Sequence, residues 1–179
     1  MNNKKQFILE IYSNKNKKNW VNKWNLRAKY IAKIINLIFN KYFILVDIGC
    51  GEMKIKQYLK ELNCNFKYIP CDIISRDNET IIIDINTNIN SLPHGDIAIM
   101  LGVAEYIDNI NLTLPIIIKK YKYIIFTHRR NYKNIKVDIL NKFKFSDIVD
   151  ICHKLNVSLI YYRPDNTSYD IYIIRNLLI

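Results

Sequence analysis

The apolar positions of this chain alternate between short continuous runs and stretches where they recur at helical spacing. Tyr42-Phe43-Ile44-Leu45-Val46 reads as a buried strand. Behind it, Ile55, Tyr58, Leu59 and Leu62 mark one face of a helix over residues 52 to 62. Residues 66 to 72, 80 to 84, 96 to 101 and 121 to 127 repeat the strand signature. Ile31, Ile34, Ile35 and Ile38 form a helical stripe that Asn40 can end. Residues 102 to about 120 suit a further helix, whose boundary Pro115 shifts or kinks. Ser146 reads as the N-cap of a helix bearing Ile148, Ile151, Cys152 and Leu155. Residues 157 to 162 and 169 to 174 are strands joined by the turn-rich Arg163-Pro164-Asp165-Asn166.

Apolar strands that are continuous rather than alternating are buried on both faces, as in a parallel sheet flanked by helices. The last two strands lie too close together for a parallel crossover and should pair as an antiparallel hairpin. The expectation is an α/β chain with a doubly wound, Rossmann-like, mostly parallel seven-stranded sheet and a C-terminal antiparallel hairpin. Residues 20 to 179 make a single domain. Residues 1 to 19, rich in Lys and Asn with little periodicity, read as a flexible arm that could order on binding. Trp20 and Trp24 follow it and read as core or rim residues.

The chain is organised around Asp47-Ile48-Gly49-Cys50-Gly51, where the first strand turns into a helix. Two of only four glycines sit there. An abrupt strand-to-helix turn without Cβ atoms lets backbone face a ligand closely. Further acids, Asp72 and Asp84, end the next two strands.

Composition narrows the picture only a little. The 179 residues suffice for one well-cored domain, and the formal charge of +11 favours anionic partners such as nucleic acid, acidic glycans or a membrane surface. The lysines are scattered, so a solvated surface accounts for most of that charge. The four cysteines show neither a Cys-x-x-Cys pair nor metal-ligand spacing and read as reduced thiols. No signal peptide or membrane span is visible, so the expected location is cytoplasmic; no ligand cluster is visible either, so no metal is expected.

In the order and spacing of Asp47-Ile48-Gly49-Cys50-Gly51, Asp72, Asp84 and Leu101-Gly102-Val103-Ala104-Glu105-Tyr106, the chain resembles the class I S-adenosylmethionine-dependent methyltransferases. The resemblance covers roughly residues 24 to 175. It implies S-adenosyl-L-methionine as cofactor, with Gly49 and Gly51 against the methionine portion and Asp47 near its amino group. It also implies Asp72 on the ribose hydroxyls, Asp84 on the adenine amino group with Ile85 beside the ring, and Leu101 and Gly102 below the sulfonium. Arg27, in the leading helix, would reach the methionine carboxylate. One departure stands out: relatives often carry a third glycine where this chain has Met53. A dinucleotide fingerprint is not met, since residue 54 is lysine.

For the acceptor, His128, Glu105 and Tyr106 are the candidate catalytic residues, with His128 placed to titrate near working pH. His94 is a weaker candidate. Arg129 and Arg130 are candidate substrate-binding residues, suited to a phosphate or carboxylate. The Asn/Asp-Pro-Pro-aromatic loop of amino-methylating nucleic acid enzymes and the Pro-Cys of pyrimidine carbon methylation are missing after strand four. The expected substrate is therefore a small molecule or saccharide, such as a cell-surface glycan precursor, with O-methylation favoured and an anionic acceptor in view. An RNA methyltransferase and a non-catalytic binding protein of the same fold are the alternatives.

Overall fold

The computed structural model describes residues 18 to 130, 143 to 165 and 167 to 179, with side chains from Asn25 onward. Most of the arm expected over residues 1 to 19 lies outside them; Lys18 and Asn19 already belong to a helix. In chain order the elements are α1 (Lys18–Ile38), β1 (Phe43–Ile48), α2 (Lys54–Glu61), β2 (Phe66–Asp72), β3 (Ile81–Ile82) and β4 (Ile97–Leu101). They continue with α3 (Ile110–Lys120), β5 (Tyr123–Arg129), α4 (Phe145–Lys154), β6 (Ser158–Tyr162) and β7 (Tyr169–Arg175). Short 3-10 turns span Ile89–Ser91 and Ala104–Tyr106.

The seven strands form one sheet in the order β3-β2-β1-β4-β5-β7-β6. β3, β2, β1, β4 and β5 are parallel, and β7 runs antiparallel between β5 and β6. The expected class and terminal hairpin are thus both present. Alternate strand residues feed two cores. Phe43, Leu45, Ile97, Ile99 and Ile125 pack on one face with Ile31 and Ile35 of α1 and Ile55 and Leu59 of α2. Val46, Ile48, Met100, Ile124 and Phe126 pack on the other with Leu114 and Ile117 of α3 and Ile148 of α4. Burial on both faces explains why the strands read as unbroken apolar runs.

The structure differs from the sequence reading at four element boundaries. β3 keeps only two paired residues, both exposed. The backbone turns away directly after it, with Thr87 and Asn88 N–H donating to the Asp84 carbonyl. The helix expected from residue 102 is split: α3 begins after Asn109, whose side chain accepts from Asn111 N–H, and Pro115 lies inside it. Lys144, rather than Ser146, stands at the start of α4, where its N–H donates to Asp147 Oδ2 at 2.7 Å. β5 begins at Tyr123, since Tyr121 closes α3 with its N–H on the Ile117 carbonyl and its hydroxyl donating to the Pro93 carbonyl at 2.6 Å. At its other end β5 runs on through Arg129, which puts His128 inside the strand.

Candidate active site

The strand order reverses direction between β1 and β4. In open α/β sheets that switch point is where carboxyl-end loops part into a ligand crevice. The turn after β1 lines it, laid over the end of β2 by Gly49 and Cys50 N–H donating to the Cys71 carbonyl at 2.8 and 3.0 Å. Its two glycines do different work. A Cβ on Gly49 would come within 2.2 Å of the Val103 side chain, so this glycine lets the turn after β4 pack close. A Cβ on Gly51 would meet nothing nearer than the Gly49 carbonyl at 4.0 Å, leaving that side of the turn open to a ligand. Met53 adopts the left-handed conformation, φ 55°, at the start of α2.

Asp72, buried at the end of β2, accepts from Gly51 N–H at 3.0 Å and from Ile74 N–H at 3.2 Å. Arg76 Nε donates to the same carboxylate at 3.1 Å. Asp72 therefore joins the glycine turn to the loop after β2, and sequence reasoning missed its arginine partner. Asp84 Oδ1 accepts from Asn86 N–H at 3.1 Å, so this acid shapes the turn after β3. Ile85 is buried in the core on the α3 side.

Asp47 is fully enclosed beneath the turn and accepts from the Tyr68 hydroxyl at 2.5 Å. Burial pushes its carboxyl up to about 7, against the lowering pull of that bond and of nearby Arg27. The phenol of Tyr68 is held well above its ordinary range, by burial first and then by Asp47. Arg27 of α1 reaches the end of β4, where Nη2 donates to the Leu101 carbonyl at 2.8 Å and the guanidinium lies 5.9 Å from the Tyr169 ring centre. Leu101 and Gly102, which has φ 80°, sit directly below it. Gly102 N–H donates to the Thr127 hydroxyl at 3.0 Å, tying the ends of β4 and β5 together.

The candidate catalytic groups cluster at the ends of β4 and β5. Glu105 is buried, and its Oε1 accepts from Arg129 N–H at 3.0 Å while Oε2 has no hydrogen-bond partner among the described residues. Tyr106, in the same 3-10 turn, is held through its carbonyl by Asn86 Nδ2 at 3.0 Å. His128 is buried and stacked on Phe143 at 3.8 Å. Arg129 ends β5 and Arg130 follows it. Arg130 forms an ion pair with Asp170, Nε to Oδ1 at 3.4 Å, and donates to the Thr167 hydroxyl at 3.1 Å and to the Thr167 carbonyl. His94 is exposed ahead of β4. No group of three or more His, Cys, Asp or Glu among the described residues is placed to hold a metal, and the four cysteines are free thiols. No helix among the described residues is long and apolar enough to cross a membrane.

No protein-family model matches the sequence, and no curated protein matches it. Solved structures resemble it in fold. Magnesium protoporphyrin IX methyltransferase from Synechocystis PCC 6803, with bound S-adenosylmethionine, superposes with a TM-score of 0.71 at 12% identity over 97% of each chain. Burkholderia thailandensis 1,6-didemethyltoxoflavin-N1-methyltransferase, with bound 1,6-didemethyltoxoflavin and S-adenosylhomocysteine, gives 0.70 at 12% identity over 96% of this chain and 86% of that one. The plantazolicin methyltransferase BpumL in complex with S-adenosylhomocysteine gives 0.62 at 12% identity over 97% and 95%. The architecture is that of the class I S-adenosylmethionine-dependent methyltransferases.

Proposed function

We propose that this chain is an S-adenosylmethionine-dependent methyltransferase acting on a small molecule or saccharide, with transfer to oxygen favoured. The observation that carries the reading is the meeting of Asp72 with Gly51 at the switch point of the sheet. There a buried acid and an open backbone turn face one crevice.

S-adenosylmethionine bound in that crevice supplies an electrophilic methyl group on a sulfonium. The protein's part is to hold donor and nucleophile in line. Asp72 accepts from the ribose hydroxyls while Gly51 and Ile74 N–H keep its carboxylate aimed. Asp84 accepts from the adenine amino group, and Ile85 backs the ring. Gly51 lets the methionine portion lie against the backbone, Asp47 faces the amino end and Arg27 the carboxylate, with Leu101 and Gly102 as the floor. For an oxygen acceptor, His128 is the first candidate to take the proton, with Glu105 and Tyr106 as the others.

Calorimetric titration with S-adenosylmethionine and S-adenosylhomocysteine tests the reading. Both should bind, and Asp72→Ala should weaken them by about tenfold or more, the loss of charge-assisted bonds. Failure of both to bind at high micromolar concentration overturns the proposal. A labelled-methyl screen across small molecules, saccharides and RNA then separates the expected acceptors from the RNA alternative.

A further inference from the structure

Beside the β4–β5 end of the crevice, the last three strands of the sheet open a cleft of about 480 Å³, a size that suits a small organic ligand. It is lined by His128, Phe143, Phe145, Tyr161, Arg163 and Asp170, with Arg129 and Arg130 at its near edge. The pairing His128↔Asp170 across β5 and β7 and Tyr161↔Tyr172 across β6 and β7 places these residues on one face of the sheet. The cleft adjoins the floor of the crevice, because Glu105 bonds Arg129 N–H and Gly102 bonds Thr127.

Two properties define what fits. The walls are aromatic: Phe145 lies 4.7 Å from Tyr161, Tyr161 lies 5.4 Å from Tyr172, and Phe145 is 46% exposed although it borders the core. The charge is unbalanced. Buried Asp170 is shared by Arg130 at 3.4 Å and Arg163 at 3.2 Å, one carboxylate between two guanidiniums. Arg130 is consumed by the hairpin, but the Arg163 side chain remains 58% exposed and lies over the Tyr161 ring. The other polar groups already serve one another: the Tyr161 hydroxyl accepts from Arg163 Nη2 at 2.8 Å, and Asp170 is doubly paired. A saccharide needs many directional partners, whereas this cleft offers ring faces and, among the described residues, the outward Arg163 cation with Arg129 at its edge.

We propose that the cleft is the acceptor subsite and that it takes a planar aromatic acid. The ring lies against Phe145 and Tyr161, and the carboxylate or phosphate pairs with Arg163. This rests on the methyltransferase reading and narrows its substrate class.

The test is binding of matched aromatic acids and their primary amides to the full chain, with and without S-adenosylhomocysteine. Saturation-transfer NMR and calorimetry provide the readout, and glucose 6-phosphate serves as the saccharide control. At least one acid should bind about fivefold or more tightly than its amide and than glucose 6-phosphate. Arg163→Met should erase that preference while leaving S-adenosylhomocysteine affinity unchanged, and Phe145→Ala should weaken acid and amide alike. If Arg163→Met does not fold, the wild-type acid-to-amide ratio together with Phe145→Ala decides. No preference for acids, a preference that survives Arg163→Met, or tighter binding of glucose 6-phosphate overturns the inference. Binding of S-adenosylhomocysteine without acid selectivity removes the cleft's assignment alone. Acid selectivity without any cofactor binding removes the methyltransferase reading and leaves an aromatic-acid site.

Discussion

The Arg27 guanidinium fills the space that a side chain on Gly102 would need: a Cβ there would lie 2.7 Å from Nη1 and 2.8 Å from Nη2. α1 and the end of β4 are therefore fitted to each other by the absence of one methyl group. The same arginine donates to the Leu101 carbonyl, so the floor of the crevice and its basic wall form one unit.

Gly102→Ala should cost roughly 1–2 kcal/mol of stability, since alanine pays the left-handed penalty at φ 80° and displaces Arg27. Arg27→Met removes the obstruction but leaves the backbone term. A double-mutant cycle by urea unfolding should show a coupling of about 0.5 kcal/mol or more between the two sites. Strict additivity would show that Arg27 moves aside freely.

Arg76→Ala should destabilise the chain by roughly 1–3 kcal/mol, because it leaves the nearly buried Asp72 carboxylate without its cation. The Gly51 and Ile74 N–H groups remain to hold that carboxylate, so the fold itself should survive. Asp72→Asn in the Arg76→Ala background should recover part of the loss, measured by denaturant midpoint. If the paired change is no better than Arg76→Ala alone, the ion pair is not what Arg76 contributes.

Asp72 was legible because it ends the strand-like run Phe66 to Cys71, and the sheet could be inferred because unbroken apolar runs elsewhere imply burial on both faces. Relationships that depend on register were not legible. Tyr68 meets Asp47 only because β1 and β2 align Leu45 with Tyr68, and Arg163 meets His128's neighbourhood only through the His128↔Asp170 pairing. Neither alignment leaves a mark in residue order. β3 was over-read because its apolar run continues into Ile83, whose N–H still bonds the Asp72 carbonyl at 2.8 Å while its side chain packs into the core and the backbone turns at Asp84.

Met53 holds a backbone conformation that glycine adopts freely, with φ 55°, ψ 32° at the start of α2. Met53→Gly should relieve a left-handed penalty of about 1–2 kcal/mol against about 0.5–1 kcal/mol of added unfolded-state entropy. The net gain expected is up to about 1.5 kcal/mol by denaturant unfolding. A net loss would show that the half-buried methionine side chain contributes more packing than the strain it imposes.

Asp47 makes stability depend on pH in the sense opposite to most carboxylates. Its ordinary value is 3.8 and burial raises it to about 7 in the folded chain. Between those values the folded state retains a proton that the unfolded state has lost, so raising the pH favours unfolding. The stability tied to the neutral carboxyl is complete below about pH 4. It is lost as pH rises through 7, on the order of 4 kcal/mol across that window. Asp47→Asn keeps an acceptor for Tyr68 and removes the titration. Denaturant unfolding of both proteins from about pH 5 to about pH 8 should show the variant gaining on the wild type as pH rises. Parallel pH profiles would mean that Asp47 is ionised throughout. A cationic amino group bound beside Asp47 favours the carboxylate, so S-adenosylhomocysteine affinity should rise with pH through this range in the wild type and stay flat in Asp47→Asn.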